Sequence, residues 1–301
     1  MALALAPALL GCAAGRSNCA SGWERIDLCD YRGAVALFGR ELEITESAES
    51  YAGKARALYL MGRAAEASLA YDQAIRLEPR NAQWYVGRSI VQLALGDTIA
   101  AVSSCDRALE IDATLAKACY NRGLANEQAL QYEEALADFS RAIQIDPKFA
   151  DAYNGRGLVL ASMQRLDAAT DDFRTALRCE PLLAAAHANC AAANYAKGDV
   201  QLALVDLCTA IKIDRGQPVF YANRGRIYLD QGDAERAAAD FEQALGLDPA
   251  IASVWLLLAA AHDQIGLSGK AQKEHEQALQ LDPSLAQEPF RHGKEAMSAS
   301  D

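Results

Sequence analysis

The sequence predicts an all-α fold, a solenoid of antiparallel helix pairs, and three columns of small residues predict it. With a period of 34, one column is alanine in all seven units: Ala67, Ala101, Ala135, Ala169, Ala203, Ala237 and Ala271. A second, seven residues on, is again alanine throughout: Ala74, Ala108, Ala142, Ala176, Ala210, Ala244 and Ala278. The third holds only Ala, Gly or Ser, at Ala55, Ser89, Gly123, Gly157, Ala191, Gly225 and Ala259. A strict period of this length marks stacked supersecondary units, each burying its apolar face against its neighbours. Such an array offers an extended surface for binding and leaves little chain for anything else.

The units read 48–81, 82–115, 116–149, 150–183, 184–217, 218–251 and 252–285. Each divides into two helical stretches, joined in 218–251 by Gly232-Asp233. Glycine suits the left-handed residue that ends a helix, and the following Asp caps the next one. The same junction carries Gly62, Gly96-Asp97, Gly198-Asp199 and Gly266. Pro79, Pro147, Pro181, Pro249 and Pro283 then close most units, whereas 82–115 has Ala113 at that place. The alanine columns fall where two backbones cross closely, and bulky residues fill the complementary holes. The fourth position holds Tyr51, Tyr85, Cys119, Tyr153, His187, Tyr221 and Trp255, and the twenty-fourth Tyr71, Cys105, Phe139, Phe173, Leu207, Phe241 and His275. The seventh is basic at Lys54, Arg88, Arg122, Arg156 and Arg224, and the twenty-third acidic at Asp138, Asp172, Asp206, Asp240 and Glu274. These charges read as a structural link between facing helices. Residues 12–47 hold a degenerate unit, with Asp30, Tyr31, Ala34 and Phe38 on its second helix and Trp23 before it. Residues 286–301 form a tail.

Units 116–149, 150–183 and 218–251 bring this pattern close to the consensus of the tetratricopeptide repeat family, which the chain resembles over residues 48–285. The resemblance implies a right-handed superhelix whose first helices line a concave groove for protein or peptide segments. It implies exposed groove positions at Arg56 and Tyr59, at Lys117, Tyr120, Asn121, Glu127 and Gln128, and at Asp151 and Asn154. Further along they fall at Asn189 and Tyr195, and at Asn223, Arg226 and Asp230. Asn121, Asn189 and Asn223 share the sixth position, where an amide either pairs with the backbone of an extended ligand or helps the superhelix turn. The Lys of the chaperone-tail clamp is absent from the fifth positions, which hold Ala52, Val86, Tyr120, Asn154, Ala188, Ala222 and Leu256.

Residues 1–11 read as a lipoprotein-type signal peptide. The apolar run Ala2–Leu10 is too short to span a bilayer but suits the apolar region of a secretory signal. Leu9-Leu10-Gly11-Cys12 resembles a lipobox, which implies cleavage before Cys12 and lipid attachment at its sulfur. The residues after Cys12, Ala13-Ala14, imply the outer membrane in that family. A short apolar N-terminus on a cytosolic protein is the alternative. Cys19 and Cys29 flank Trp23 and form a disulfide if the chain is exported, whereas Cys105, Cys119 and Cys190 at packing positions suit a reducing compartment.

A net charge of −11 argues against a nucleic-acid backbone as partner. The chain has no CxxC pair, HExxH, phosphate-binding Gly loop or nucleophile elbow, so no metal, cofactor or enzymatic activity is expected. His187, His262 and His275 are read as packing residues, the last two in places usually aromatic. The sequence therefore predicts a protein-binding scaffold, lipid-anchored in a bacterial outer membrane and facing the periplasm. The alternative is a cytosolic regulatory or carrier subunit of an enzyme complex.

Overall fold

A computed structural model describes residues 21–287. Among these residues the chain forms sixteen α-helices and one short 3-10 segment, with no strand. They divide into two compact units at Val159 and Leu160. The first contains α1 (Gly22–Asp27), α2 (Tyr31–Ile44), α3 (Ala48–Leu60), α4 (Ala64–Leu77), α5 (Ala82–Ala94), α6 (Thr98–Ile111), α7 (Ala116–Gln128) and α8 (Tyr132–Ile145). The division falls inside α9 (Ala150–Ser162). The second contains α10 (Leu166–Cys179), α11 (Ala184–Ala196), α12 (Val200–Ile213), α13 (Pro218–Asp230), α14 (Ala234–Leu247), α15 (Ala252–Gln264) and α16 (Ser268–Leu281), then the 3-10 segment Pro283–Gln287. From α3 onward, odd helices begin 34 residues apart, and so do even ones from α4. Within each unit sequential helices pack together, and alternate ones also touch: α3 on α5, α5 on α7, α11 on α13 and α13 on α15.

The turn inside each pair is made by one left-handed residue. Gly62, Gly96, Gly198, Gly232 and Gly266 hold φ between 74° and 88°. Leu130 and Gln164 occupy the same place at φ 60° and 61°, a conformation that costs an L-residue about 1–2 kcal/mol. The turn closes with paired backbone bonds, as where Gly232 donates to Leu229 and Asp233 to Tyr228, both at 2.9 Å. Asp97 and Asp233 then cap α6 and α14 through their carboxylates. Asp199, in the same position, makes no side-chain cap to α12.

The three small columns are the sealed interior. Every alanine of the first two is 0–1% exposed, as are Ala55, Ser89, Ala191 and Ala259 of the third. The rings of Phe139, Phe173 and Phe241 are fully enclosed. Glycines show how tight the fit is. A Cβ on Gly123 would lie 2.8 Å from the Phe139 ring, and one on Gly155, at the start of the following pair, 2.9 Å from it. One on Gly87 would stand 2.4 Å from the Tyr71 ring, and one on Gly53 2.3 Å from Phe38. Each of these rings is therefore wedged between its own first helix and the first helix that follows. Trp23 of α1 closes the other side of Phe38, edge to face at 5.5 Å.

The seventh-position arginines link three helices rather than two. Arg122 on α7 donates to Asp138 on α8 at 2.6–3.0 Å and also to Asp106 on α6 at 2.6 Å. Arg88 reaches Ser104 and Asp72, and Arg224 reaches Asp240 and the Cys208 sulfur. Where the seventh residue is not basic, histidine joins the acid of the twenty-third. His262 lies 2.8 Å from Glu274, and His187 3.4 Å from Asp206. These histidines thus do more than replace aromatic rings.

Candidate partner-binding surface

The first helices α3, α5 and α7, with the start of α9, present one row of side chains in the first unit. α11, α13 and α15 present another in the second. Helical spacing dictates which residues line these rows: positions three and four apart share a face, so one stripe enters the pair interior and the opposite stripe is left outward. Arg56, Lys117, Arg226 and Asp230 are exposed, and Tyr59, Tyr120, Glu127, Asp151, Asn154, Asn189, Tyr195 and Asn223 are half-buried.

Asn121 corrects the sequence reading. It is 5% exposed, and its amide donates to Ser89 Oγ at 3.0 Å and toward the Val86 carbonyl at 3.5 Å, both on α5. The sixth position faces the preceding first helix, so the Asn121 amide reaches α5 where Gly53, Gly87 and Gly155 of other pairs lie against a ring. An exposed ladder of three amides is therefore not present. The Asn223 side chain, by contrast, makes no hydrogen bond to the described residues.

Tyr195 and Asp230 are brought together: the phenol on α11 donates to the carboxylate on α13. That bond, with burial, raises the phenol pKa and leaves Arg226, one turn before Asp230, beside the pair. In the first unit the Tyr120 ring leans on Phe149 at 5.0 Å and Phe139 at 5.7 Å. Burial first, then the charges of Asp151 and Glu127, raise its phenol pKa. Burial also raises the Glu127 carboxyl above the usual range. Between α5 and α7 lies a cavity of about 240 Å³ whose walls include Gln83, Val86, Lys117 and Phe149. These aromatic and apolar contributions around Tyr120 lay outside the sequence reading. Val86 on α5 and Phe149 in the α8–α9 connection are ordinary apolar residues, and only the tertiary packing brings them to one cavity.

Cys12 and Cys19 lie outside the described residues. Cys29 is disulfide-bonded. Burial raises the Cys105 and Cys190 thiols to about 12, so they remain neutral and behave as small apolar groups. Among the described residues no cluster of three or more His, Cys, Asp or Glu is arranged to hold a metal, and no helix is long and apolar enough to cross a membrane.

Paired helices with sealed alanine columns and a polar outward row define a helical repeat protein. Residues 131–164 match a family model described as TPR repeat, and residues 52–116 and 219–251 match models of the tetratricopeptide repeat. The chain is a tetratricopeptide repeat protein. No curated protein matches it. Among solved structures it resembles a chain of the APC/C hetero-tetramer Cut9–Hcn1 at TM-score 0.68 and 15% identity, over 84% of this chain and 50% of that one. It thus spans half the length of that relative. A tetratricopeptide repeat protein from Parabacteroides merdae matches at TM-score 0.60 and 20% identity, over 79% and 94% of the two chains. An IFIT1 monomeric mutant solved with Gppp-AAAA matches at 0.64 and 17%, over 86% and 70%. At these identities the likeness is one of fold.

Proposed function

We propose that this chain is a protein-binding scaffold that holds segments of partner proteins along its first-helix rows and is lipid-anchored through Cys12 in a bacterial cell envelope. The observation that carries the binding reading is the division of each first helix. One stripe is sealed against alanine, while Arg56, Lys117 and Arg226 stand outward with no side-chain hydrogen bond or ion pair to the described residues. A row of charged and aromatic groups outside the core suits recognition of polypeptide, whose amides and side chains such groups pair with.

The anchoring reading rests on Leu9-Leu10-Gly11-Cys12 and on the Cys29 disulfide, which fits an oxidising compartment such as the periplasm. The buried thiols Cys105, Cys119 and Cys190 favour the second reading, a cytosolic subunit of an enzyme complex. Labelling with palmitate separates the two. Wild-type chain should take up label, and Cys12→Ser should lose it and its membrane association; recovery of unlabelled wild-type protein in the cytosol overturns anchoring. Crosslinking in intact cells, followed by the same capture from an Arg56→Glu, Arg226→Glu variant, tests the binding reading. Identical partner capture by the variant would count against the rows.

A further inference from the structure

We propose that the turn edge of the first unit rests on a zwitterionic lipid surface, with Leu28, Met61, Leu95, Ile99 and Leu130 as its apolar contact. The inference rests on the reading that Cys12 carries lipid and adds which surface of the array the bilayer meets.

Three observations bear on it. Helices alternate in direction along the chain, and α3 packs on α5 and α5 on α7, so the turns after α1, α3, α5 and α7 fall at one edge. These turns leave apolar side chains outward. Leu28 and Leu95 are exposed, Leu130 is 71% exposed and Ile99, at the start of α6, 84%, while Met61 is half-buried. The polar residue after three of these turns is engaged within the chain: Asp30 accepts from Arg25 and the Gly33 amide, Arg63 pairs with Glu66, and Asp97 accepts from the Ala100 amide. Second, the turns after α11 and α13 carry Lys197 and Gln231 where α3 and α5 are followed by Met61 and Leu95, and an apolar residue returns only with Ile265 after α15. Apolar groups gathered on one edge mark a contact site, unlike single ones scattered over a surface. Third, Cys29 holds the left-handed place of the first turn, at φ 58°, where five later pairs have glycine, and it is disulfide-bonded. The five cysteines from α6 onward are free, so its partner is Cys12 or Cys19, and lipid on Cys12 leaves Cys19.

Covalent reach ties this edge to the lipid. Cys12 lies seven residues before Cys19, so even a fully extended chain keeps the two within about 25 Å. The bilayer is thereby held close to the edge to which Cys29 belongs, and the exposed leucines decide which surface turns toward it. Packed helices stand about 8–10 Å apart, so four successive turns spread the apolar contact over a few tens of ångströms. The turns also satisfy their own backbone, as where Gly62 donates to Tyr59 and Gly96 to Leu93, so contact with lipid strands no amide. The charge of −11 favours a zwitterionic surface over an anionic one. Seated this way, the helices of the first unit stand upright on the lipid and their first-helix row stays open to the side.

The test uses the full lipidated chain floated on phosphatidylcholine vesicles and a polar maleimide that alkylates accessible thiols, read site by site by mass spectrometry. Ile99→Cys and Leu130→Cys probe the edge, and Val205→Cys probes an exposed apolar position on α12. The exposed native Cys179 serves as internal standard in every chain. Relative to Cys179, alkylation at positions 99 and 130 should slow at least about tenfold on vesicles, and at position 205 should stay within about twofold of its rate in solution. The same variants carrying Cys12→Ser, in solution without vesicles, should react quickly at all three positions. Protection in that soluble chain would assign the row to a second copy and overturn the inference. A chain that floats yet reacts at positions 99 and 130 as fast as in solution also overturns it, and leaves anchoring through Cys12 intact. Equal protection at position 205 overturns it as well, because the contact would not be confined to this edge. A chain that neither floats nor takes up palmitate overturns the anchoring reading and this inference together.

Discussion

Arg122 holds Asp138 through three N–H···O contacts of 2.6–3.0 Å, and the carboxylate is 5% exposed. The cation also bonds Asp106 on the preceding helix, so its loss strands a buried anion and loosens two helix contacts. Breaking such a pair costs about 3–5 kcal/mol when both partners are buried, and Arg122 is 29% exposed. Arg122→Met should therefore destabilise the fold by about 2–3 kcal/mol in chemical denaturation. Arg63→Ala removes an exposed pair with Glu66 and should change stability by less than about 1 kcal/mol. Equal effects would show that the three-helix link is idle.

Glycine substitutions should split by environment. Gly87→Ala places a methyl 2.4 Å from the Tyr71 ring and should cost about 1–3 kcal/mol, overriding its gain in helix propensity. Gly246→Ala, in α14 with nothing within 4 Å, should instead gain about 0.5–1 kcal/mol. Thermal melts of the two variants should move in opposite directions.

Leu130→Gly should stabilise the first unit, because Leu130 holds φ 60° and is 71% exposed, so the side chain supplies little packing in return. A gain of about 1 kcal/mol is expected, and a lower denaturation midpoint would show that the exposed leucine packs in solution.

Asn121→Ala should cost about 1–2 kcal/mol by stranding its buried partners on α5. Asn223→Ala should lie within about 0.5 kcal/mol, as it removes no hydrogen bond to the described residues. Denaturation midpoints that fall together would restore a shared role for the two amides.

Glu127 gives a pH signature. Burial raises its folded pKa above the unfolded one, so the folded chain binds this proton more tightly. Its contribution is fully present below the unfolded value and is lost as pH rises through the folded value. Glu127→Gln, which mimics the protonated form, should match wild type near pH 4 and melt higher near pH 7. A constant difference between the two pH values would remove the carboxylate as its origin.

The fold was legible because the helix signal is written seven times. The alanines at Ala67, Ala101 and their equivalents have no local reason to recur, so only a repeated crossing accounts for them. What escaped was the neighbour of each position. Asn121 looks outward on a helical wheel of α7 alone, but α5 lies against it and takes up its amide. The arginine column was legible as one link between paired helices, whereas its second acceptor belongs to the pair before. Phe149, in the α8–α9 connection, meets Tyr120 of α7 and shares a cavity with Val86 of α5 only once the helix pairs have packed, and no spacing in the sequence joins them.

In the pair before α11 the arrangement of charge is inverted. Arg174 on α10 stands where Asp72, Asp106 and Cys208 stand on their helices, sixteen residues before the seventh position of the next pair. That next residue is Cys190 rather than arginine, and the Arg174 charge acts upon it. The helix pairs are consequently not interchangeable modules. Excising 184–217 would keep the period yet set Arg174 against Arg224, cation against cation. Excising 82–115 would set Asp72 beside Arg122 and preserve the match. This inversion works as a register mark: it fixes which pair follows which, and it gives the array a direction and an order that its uniform alanine columns do not encode.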